Sequence, residues 1–439
     1  LSTLFLTAFI DLLGFGLTIP LLPFYAQRYG ATAVEVSLLF SSFSLMGFLF
    51  VPVWGELSDR VGRRPVLLIS IAATAGSMLL LAFADSYPLL LMSRILQGIM
   101  TANISTIQAY IADVTTPQER GRAMGLIGAA FGLGFILGPF VGGVLSAVSF
   151  RAPGLAAAAL ATVNLALAFR NLPESLKSKL EPQLHYREGP KLVAPEPFSA
   201  SVVARVLQRQ LTLAPLREAF RQPAIAMLVV VFFVHSFAFT NMEATFALFV
   251  HNRFGFGAKE SGYLFGYIGL MVVVAQATIY GRLSRKYADV KIARVGFVLI
   301  TIAMVGLVLV PSGRWNAAIP PANFQQFLAR VGPLWLILPF SSFGNAFINP
   351  SISAATSKRG RADRQGGTLG VQQSAGALAR VVGPICAGVA FDHFGPAAPM
   401  AVAAGGMVLA ALLISRVPPP TESNDDLGSK QTDSPLPSE

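Results

Sequence analysis

The chain has 439 residues, of which 54% are hydrophobic and 13% charged, and its mean hydropathy is +0.61. A soluble chain of this size carries about 25% charge, so the composition excludes an ordinary soluble domain. The net charge of +11 invites a nucleic-acid reading, which the placement of the bases along the chain then removes.

Apolar runs near the length needed to cross a hydrocarbon core recur from the first residue onward. They predict spans at 1–26, 33–57, 65–84, 87–112, 120–147 and 150–169, then at 223–251, 258–281, 291–311, 331–357, 364–391 and 395–416. The chain enters its first span at Leu1 with no Met or basic stub before it, which implies a missing N-terminal piece. That segment is too long for a signal peptide and carries an internal acid, so it reads as a helix. Residues 170–222 are polar and Pro-bearing and read as a cytoplasmic linker; within them Val202, Val203, Val206, Leu207, Leu211 and Leu213 suit either an amphipathic helix or a loose segment. Residues 417–439 read as a disordered tail. The fold class expected is an all-α polytopic membrane protein, with bundles at 1–169 and 223–416.

Lys and Arg placement sets the orientation. Loops on one side, with the linker and tail, hold 25 bases, and the opposite loops hold six, namely Arg28, Arg151, Arg253, Lys259, Arg314 and Arg330. Both termini are therefore expected in the cytoplasm. The basic balance reports topology, and no nucleic-acid partner is expected. The expected partners are the lipid bilayer, protons and a small molecule, with the chain a monomer.

The two halves repeat each other. Tyr29-Gly30 matches Phe254-Gly255, Gly55-Glu56-Leu57-Ser58 matches Gly281-Arg282-Leu283-Ser284, and Gly138-Pro139 matches Gly383-Pro384. The offset grows across a longer loop near Pro311–Gly332. Duplicated units of this kind place a substrate site between the halves near the bilayer midplane.

Four stretches carry a specific likeness. They are the loop Gly55-Glu56-Leu57-Ser58-Asp59-Arg60-Val61-Gly62-Arg63-Arg64-Pro65, the run Asp11 to Pro23, Arg94-Ile95-Leu96-Gln97-Gly98, and Gly134 to Gly143 with its Gly138-Pro139. Together they resemble the major facilitator superfamily, and within it the drug/proton antiporters, the tetracycline exporters most of all. The resemblance implies twelve helices, alternating access, and a latch between the halves built on Gly55, Asp59, Gly62 and Arg63. Gly134, Gly138 and Gly142 recur every fourth residue as a smooth stripe, and with Pro139 they imply a hinge-like gate in the fifth span.

Polar stripes mark a pathway, because polar faces of membrane helices turn towards a cavity or the bundle interior. Asp11, Thr18 and Tyr25 form one in the first span; Arg94, Gln97, Thr101, Ser105 and Gln108 form another in the fourth. Ser236, Thr240 and Glu243 follow in the seventh, and Ser342, Asn345, Asn349 and Ser353 in the tenth. Proton coupling needs an acid that is neutral in one state and charged in another. Asp11 is the first candidate, since a mid-span carboxylate costs roughly 2.5–3.5 kcal/mol on insertion scales. Glu243 is the second, with Arg380 at a similar depth to pair with it, an arrangement that suits a gate or a structural ion pair as well as coupling. Asp11 and Arg94 lie ~12 Å apart along the membrane normal.

The likeness to tetracycline exporters has gaps. Ser77 stands where they carry an acid in the third span, and the ninth span has no Asp, Glu or His between Gly296 and Val310. The eighth offers Gln276 but no His, and His235 in the seventh reads as a packed residue. A lipophilic drug or amphiphile therefore fits as well as a tetracycline chelate. A symporter or uniporter, or a sensor without flux, shares the fold. No zinc-protease, nucleophile-elbow or phosphate-loop motif is present, so no enzyme, cofactor or ATP drive is expected. Cys386 sits alone in an apolar run and reads as a small packed residue, which leaves no metal site.

Overall fold

The computed structural model describes residues 2–101, 103–175, 217, 220–310, 332–359 and 365–418. The described chain is helical, and all twelve predicted spans are present. The linker helix expected near Val202–Leu213, the long loop at 311–331 and the tail from 419 lie outside the described residues.

The first half holds α1 (Ser2–Thr18), a 3-10 turn at Ile19–Leu21, α2 (Leu22–Arg28), α3 (Ala33–Val61), α4 (Arg63–Ala82), α5 (Tyr87–Ile99), α6 (Asn103–Val114), α7 (Pro117–Ser146) and α8 (Ala152–Asn171). The second half holds α9 (Pro223–Phe254), α10 (Ala258–Val274), a π-turn at Ala275–Tyr280, α11 (Gly281–Lys286), α12 (Asp289–Leu309), α13 (Gly332–Arg359), α14 (Gln365–Phe394) and α15 (Ala398–Ile414).

Three spans are interrupted. In the first, Pro20 and Pro23 remove backbone donors and the helix tightens into a 3-10 turn. In the fourth, the helix stops at Met100 and restarts at Asn103. In the eighth, a π-turn widens the helix just before the echo loop. Nine of the described spans, the interrupted first and eighth taken whole, are long and apolar enough to cross a membrane. The others fall short because the fourth span is split, α13 is diluted by its Ser, Asn and Pro residues, and α15 has 17 residues.

Local chemistry fixes the helix ends. Thr32 and Glu35 form a capping box on α3. Glu35 N donates to Thr32 Oγ1 at 3.2 Å, and Thr32 N donates to Glu35 Oε2 at 2.8 Å. Gly30 and Gly255, matched in the repeat, both follow helix ends at positive φ, 76° and 66°. A side chain at either place would be strained.

Within the first half α1 packs on α7 and α8, and α4 on α8; within the second α9 packs on α14 and α15, and α12 on α13. Two helix pairs dominate the join between the halves, α3 with α14 and α7 with α10. The second half buries most of its apolar core in one large cluster around Phe246, Phe249, Phe297 and Met407, with smaller ones beside it, while the first is built from smaller clusters throughout.

Candidate functional site

Glycines report how closely the halves meet, because a Cβ has no room where backbones touch. At the end away from the basic loops, a Cβ on Gly143 of α7 would lie 2.9 Å from Gly262 Cα of α10, and one on Gly388 of α14 would lie 2.7 Å from Val34 Cα of α3. The Phe24 and His251 rings meet edge to face at 5.6 Å there, and Leu21, Leu22, Tyr25 and Leu248 pack into one apolar cluster. Asp392, near the end of α14, spans the seam with both carboxylate oxygens. Ala33 N donates to its Oδ1 at 3.1 Å and Val34 N to its Oδ2 at 3.0 Å. The far end is thus closed, and an ionised acid caps the N-terminus of a helix from the other half.

At the basic end the described glycines record no such approach between the halves. A Cβ on Gly55, Gly125, Gly128, Gly281, Gly367 or Gly370 would meet nothing within 4 Å. The expected latch loop makes its described contacts within the first half. Arg63 is nearly buried and pairs with Asp59 at 2.5 Å and with Asp113 at 3.1 Å, and its Nη1 donates to Ser58 Oγ at 2.5 Å. Glu174 caps α4 by accepting from Arg63 N at 2.9 Å and Arg64 N at 3.1 Å. Gly62 has φ +115°, and a Cβ there would come 2.5 Å from Glu174 Oε2. Asp59 stays 63% exposed on its side chain.

The second half answers with the charges exchanged. Lys358 Nζ donates to Asp289 Oδ2 at 2.7 Å. Asp289 follows Arg63 at the same sequence offset that separates the two loop motifs, and Lys358 follows Asp113 at the offset that separates the two Gly-Pro pairs. Both pairs tie the start of the third span of a half to the end of its fourth.

Asp11 is half-buried in α1 and accepts from Asn103 Nδ2 at 2.5 Å. Asn103 is the first residue of α6, directly after the break in the fourth span, and its Oδ1 is buried without a partner among the described residues. Glu243 is half-buried on α9 and makes no hydrogen bond or ion pair among the described residues. Gln108 and Asn349 are exposed, while Thr101, Ser105 and Asn345 are half-buried; Asn349 Nδ2 donates to Asn345 Oδ1 at 3.2 Å.

Several expected wall residues sit elsewhere. Thr18 is fully buried and donates to Phe15 O at 3.0 Å, and Tyr25 donates to Phe150 O, so neither hydroxyl reaches the open cavity. The 3-10 turn at Pro20 rotates the helix between them and breaks the predicted stripe. Thr240 is buried and returns its hydroxyl to Ser236 O at 2.8 Å. Arg94 and Gln97 are enclosed at 1% and 5% exposure, with Arg94 Nε, Arg94 Nη2 and Gln97 Oε1 unpartnered among the described residues. The glycine stripe of α7 packs on α1 of its own half: Gly138 on Gly16, Gly142 on Leu17 and Gly134 on Leu12. The contact with the other half falls to a neighbouring face of α7, where Gly132, Ile136, Pro139, Phe140 and Gly143 meet α10. Pro139 lies inside α7, which continues through it. His235 is packed among Phe232, Phe239 and Phe297. Cys386 is exposed, because the buried face of α14 is taken by Gly383 and Ala387 instead.

Sequence reading missed Asn103, Asp392, Glu174 and Gly262. Asn103 was hidden because an unbroken helix assigns Thr101 and Ser105 to its face. The other three lie at helix ends or in a partner helix, where only the fold shows what they touch.

The described architecture agrees with known proteins. The family profile of the Major Facilitator Superfamily matches residues 4–320 and 318–438. The Bos taurus major facilitator superfamily domain-containing protein 10 is 31% identical over 96% of this chain and 93% of its own. The class C tetracycline resistance protein of Escherichia coli is 29% identical over 86% of each chain. The crystal structure of the human organic anion transporter MFSD10 (TETRAN) superposes with a TM-score of 0.65 and 27% identity, covering 94% of this chain and 98% of that one.

Proposed function

The chain belongs to the Major Facilitator Superfamily, and on that premise we propose that it is a proton-coupled exporter of a drug-like or amphipathic small molecule. It is a multi-pass membrane transporter and not an enzyme. The proton coupling, the direction of transport, the cytoplasmic membrane as its location, the cytoplasmic placement of both termini and the two-bundle division are the proposal's own.

The observation that carries it is Asp11. A carboxyl group half-buried in a membrane helix, with a single side-chain hydrogen bond among the described residues, has no ion pair there to hold it permanently charged. Asn103 suits both of its states, because an amide that turns over donates to the carboxylate or accepts from the carboxylic acid. Close packing of the halves at the far end, with no such glycine approach at the basic end among the described residues, supports a state in which a cytoplasmic substrate enters. Asp392 holds that closure. When the basic end closes, exposed Asp59 becomes the residue that meets the second half, as the resemblance implies. The printed functions of the relatives, organic anion transport and tetracycline resistance, support a small organic substrate.

The test is substrate-driven proton release from detergent-solubilised protein, measured with a pH dye, using a compound to which expression confers resistance. Wild type should release protons on substrate addition and Asp11→Asn should not. Equal release from both would end the assignment of Asp11.

A further inference from the structure

Arg380 sits near the middle of α14, ~21–23 Å of helix from either end. A charged side chain at that depth is costly against lipid and needs a water-filled cavity or a partner. Two glycines fix which way it faces. Gly376, Arg380 and Gly383 follow at spacings of four and three, so they share one side of the helix. A Cβ on Gly376 would lie 3.3 Å from Ser236 Oγ, and one on Gly383 would lie 3.1 Å from Phe237 O, both on α9. Arg380 therefore faces α9 and not the lipid.

It is nonetheless exposed, so the space in front of it is open. Among the described residues the guanidinium makes no hydrogen bond and no ion pair. Glu243, on the same α9 stripe as Ser236 and Thr240, interacts with it through charge without reaching contact distance. A structural ion pair would have closed that gap. Exposed Gln373 lies two turns below on the same helix and adds a further polar group to the wall. The result is a planar fork of N–H donors at mid-helix, exposed on the side of α14 that faces α9, with Glu243 beyond ion-pair distance. That fork matches the oxygens of a carboxylate or sulfonate.

We propose that Arg380 anchors an anionic group, a carboxylate or sulfonate, on the transported molecule, and that Glu243 balances its charge while the cavity is empty. This rests on the transporter reading and assigns that reading a substrate class. The anion replaces Glu243 as the group nearest the guanidinium, so Glu243 opposes binding and Arg380 drives it.

The test uses full-length protein in lipid nanodiscs and two probes of one shape, naphthalene-2-sulfonate and the uncharged naphthalene-2-sulfonamide, with equilibrium dialysis as the readout. Wild type should bind the sulfonate more tightly than the sulfonamide. Arg380→Gln should weaken the sulfonate roughly ten- to hundredfold, the scale of a lost charge-assisted contact, and leave the sulfonamide within about twofold. Arg380→Lys should fall between, and Glu243→Gln should tighten the sulfonate. Failure of the wild type to prefer the sulfonate overturns the proposal, as does equal loss of both probes in Arg380→Gln, which would mark a structural role. The transporter reading fails separately. Sulfonate binding through Arg380 with no substrate-driven proton release refutes proton-coupled transport and keeps the anchor; proton release with both probes bound alike does the reverse.

Discussion

Removing the Asp392 carboxylate should open the far end. Its two oxygens accept from Ala33 N and Val34 N across the seam between the halves, at 3.1 and 3.0 Å. Hydrogen bonds to an ionised group contribute about 1.5–3 kcal/mol each. One of these two is exposed to solvent, so the low end applies and the pair is worth about 3 kcal/mol. The α3 helix dipole adds ~0.5 kcal/mol. Since about 1.4 kcal/mol is a factor of ten, Asp392→Ala should move the equilibrium towards the far-end-open state by at least about a hundredfold. Asp392→Asn keeps one neutral acceptor and should move it about tenfold. The assay is pulsed electron–electron distance measurement between spin labels at Gln27 and Asn252, both exposed at the far end of opposite halves. The background carries Cys386→Ser, which removes the one native cysteine. Asp85→Asn is the control, since Asp85 is an exposed far-end acid with no contact across the seam among the described residues. A distance distribution in Asp392→Ala that matches wild type and the control would refute the latch.

Other substitutions separate packing from gating. Gly138→Ala places a Cβ 2.6 Å from Gly16 Cα inside the first half. It should lower the unfolding temperature of purified protein, on the scale of a roughly 1–3 kcal/mol overpacking cost; Gly125→Ala, with open space around it, should not. Gly143→Ala and Gly262→Ala clash across the seam, and should leave folding intact while shifting the same spin-label distances outward. Glu174→Ala removes the cap from two backbone donors of α4 and should cost about 1 kcal/mol in thermal unfolding. Asn103→Ala strips Asp11 of its hydrogen-bond partner and should reduce substrate-driven proton release; undiminished release would remove Asn103 from the coupling site.

The span pattern was legible in the sequence because lipid imposes a length and a polarity that few substitutions can blur. The repeat was legible for a similar reason: Gly30 and Gly255 hold the same positive-φ turn, which other residues reach only under strain. What stayed hidden follows from helix phase. The stripes in the first and fourth spans assumed unbroken α-helix, and the turn at Pro20 and the break after Met100 rotate what comes next. Tyr25 thereby turns to the Phe150 carbonyl and Asn103 takes the place beside Asp11, while Thr18, ahead of the turn, spends its hydroxyl on Phe15 O of its own helix. The α7 stripe was legible as a close-packing face, yet which helix it packs on could not be read from α7 alone. The charge exchange between Arg63–Asp113 and Asp289–Lys358 was present in the repeat offsets, and needed the fold to show that each pair touches. It explains why the echo loop lacks an acid at the place of Asp59: the second half carries the same tie with inverted signs, and the exposed loop carboxylate belongs to the first half.

The central claim is that Asp11 couples proton movement to export. Its most direct test is substrate accumulation in proteoliposomes under an imposed ΔpH, comparing wild type with Asp11→Asn. Wild type should concentrate the substrate only while ΔpH is maintained, and Asp11→Asn should at most equilibrate it. Accumulation by Asp11→Asn equal to wild type, or wild-type flux indifferent to ΔpH, would contradict the account.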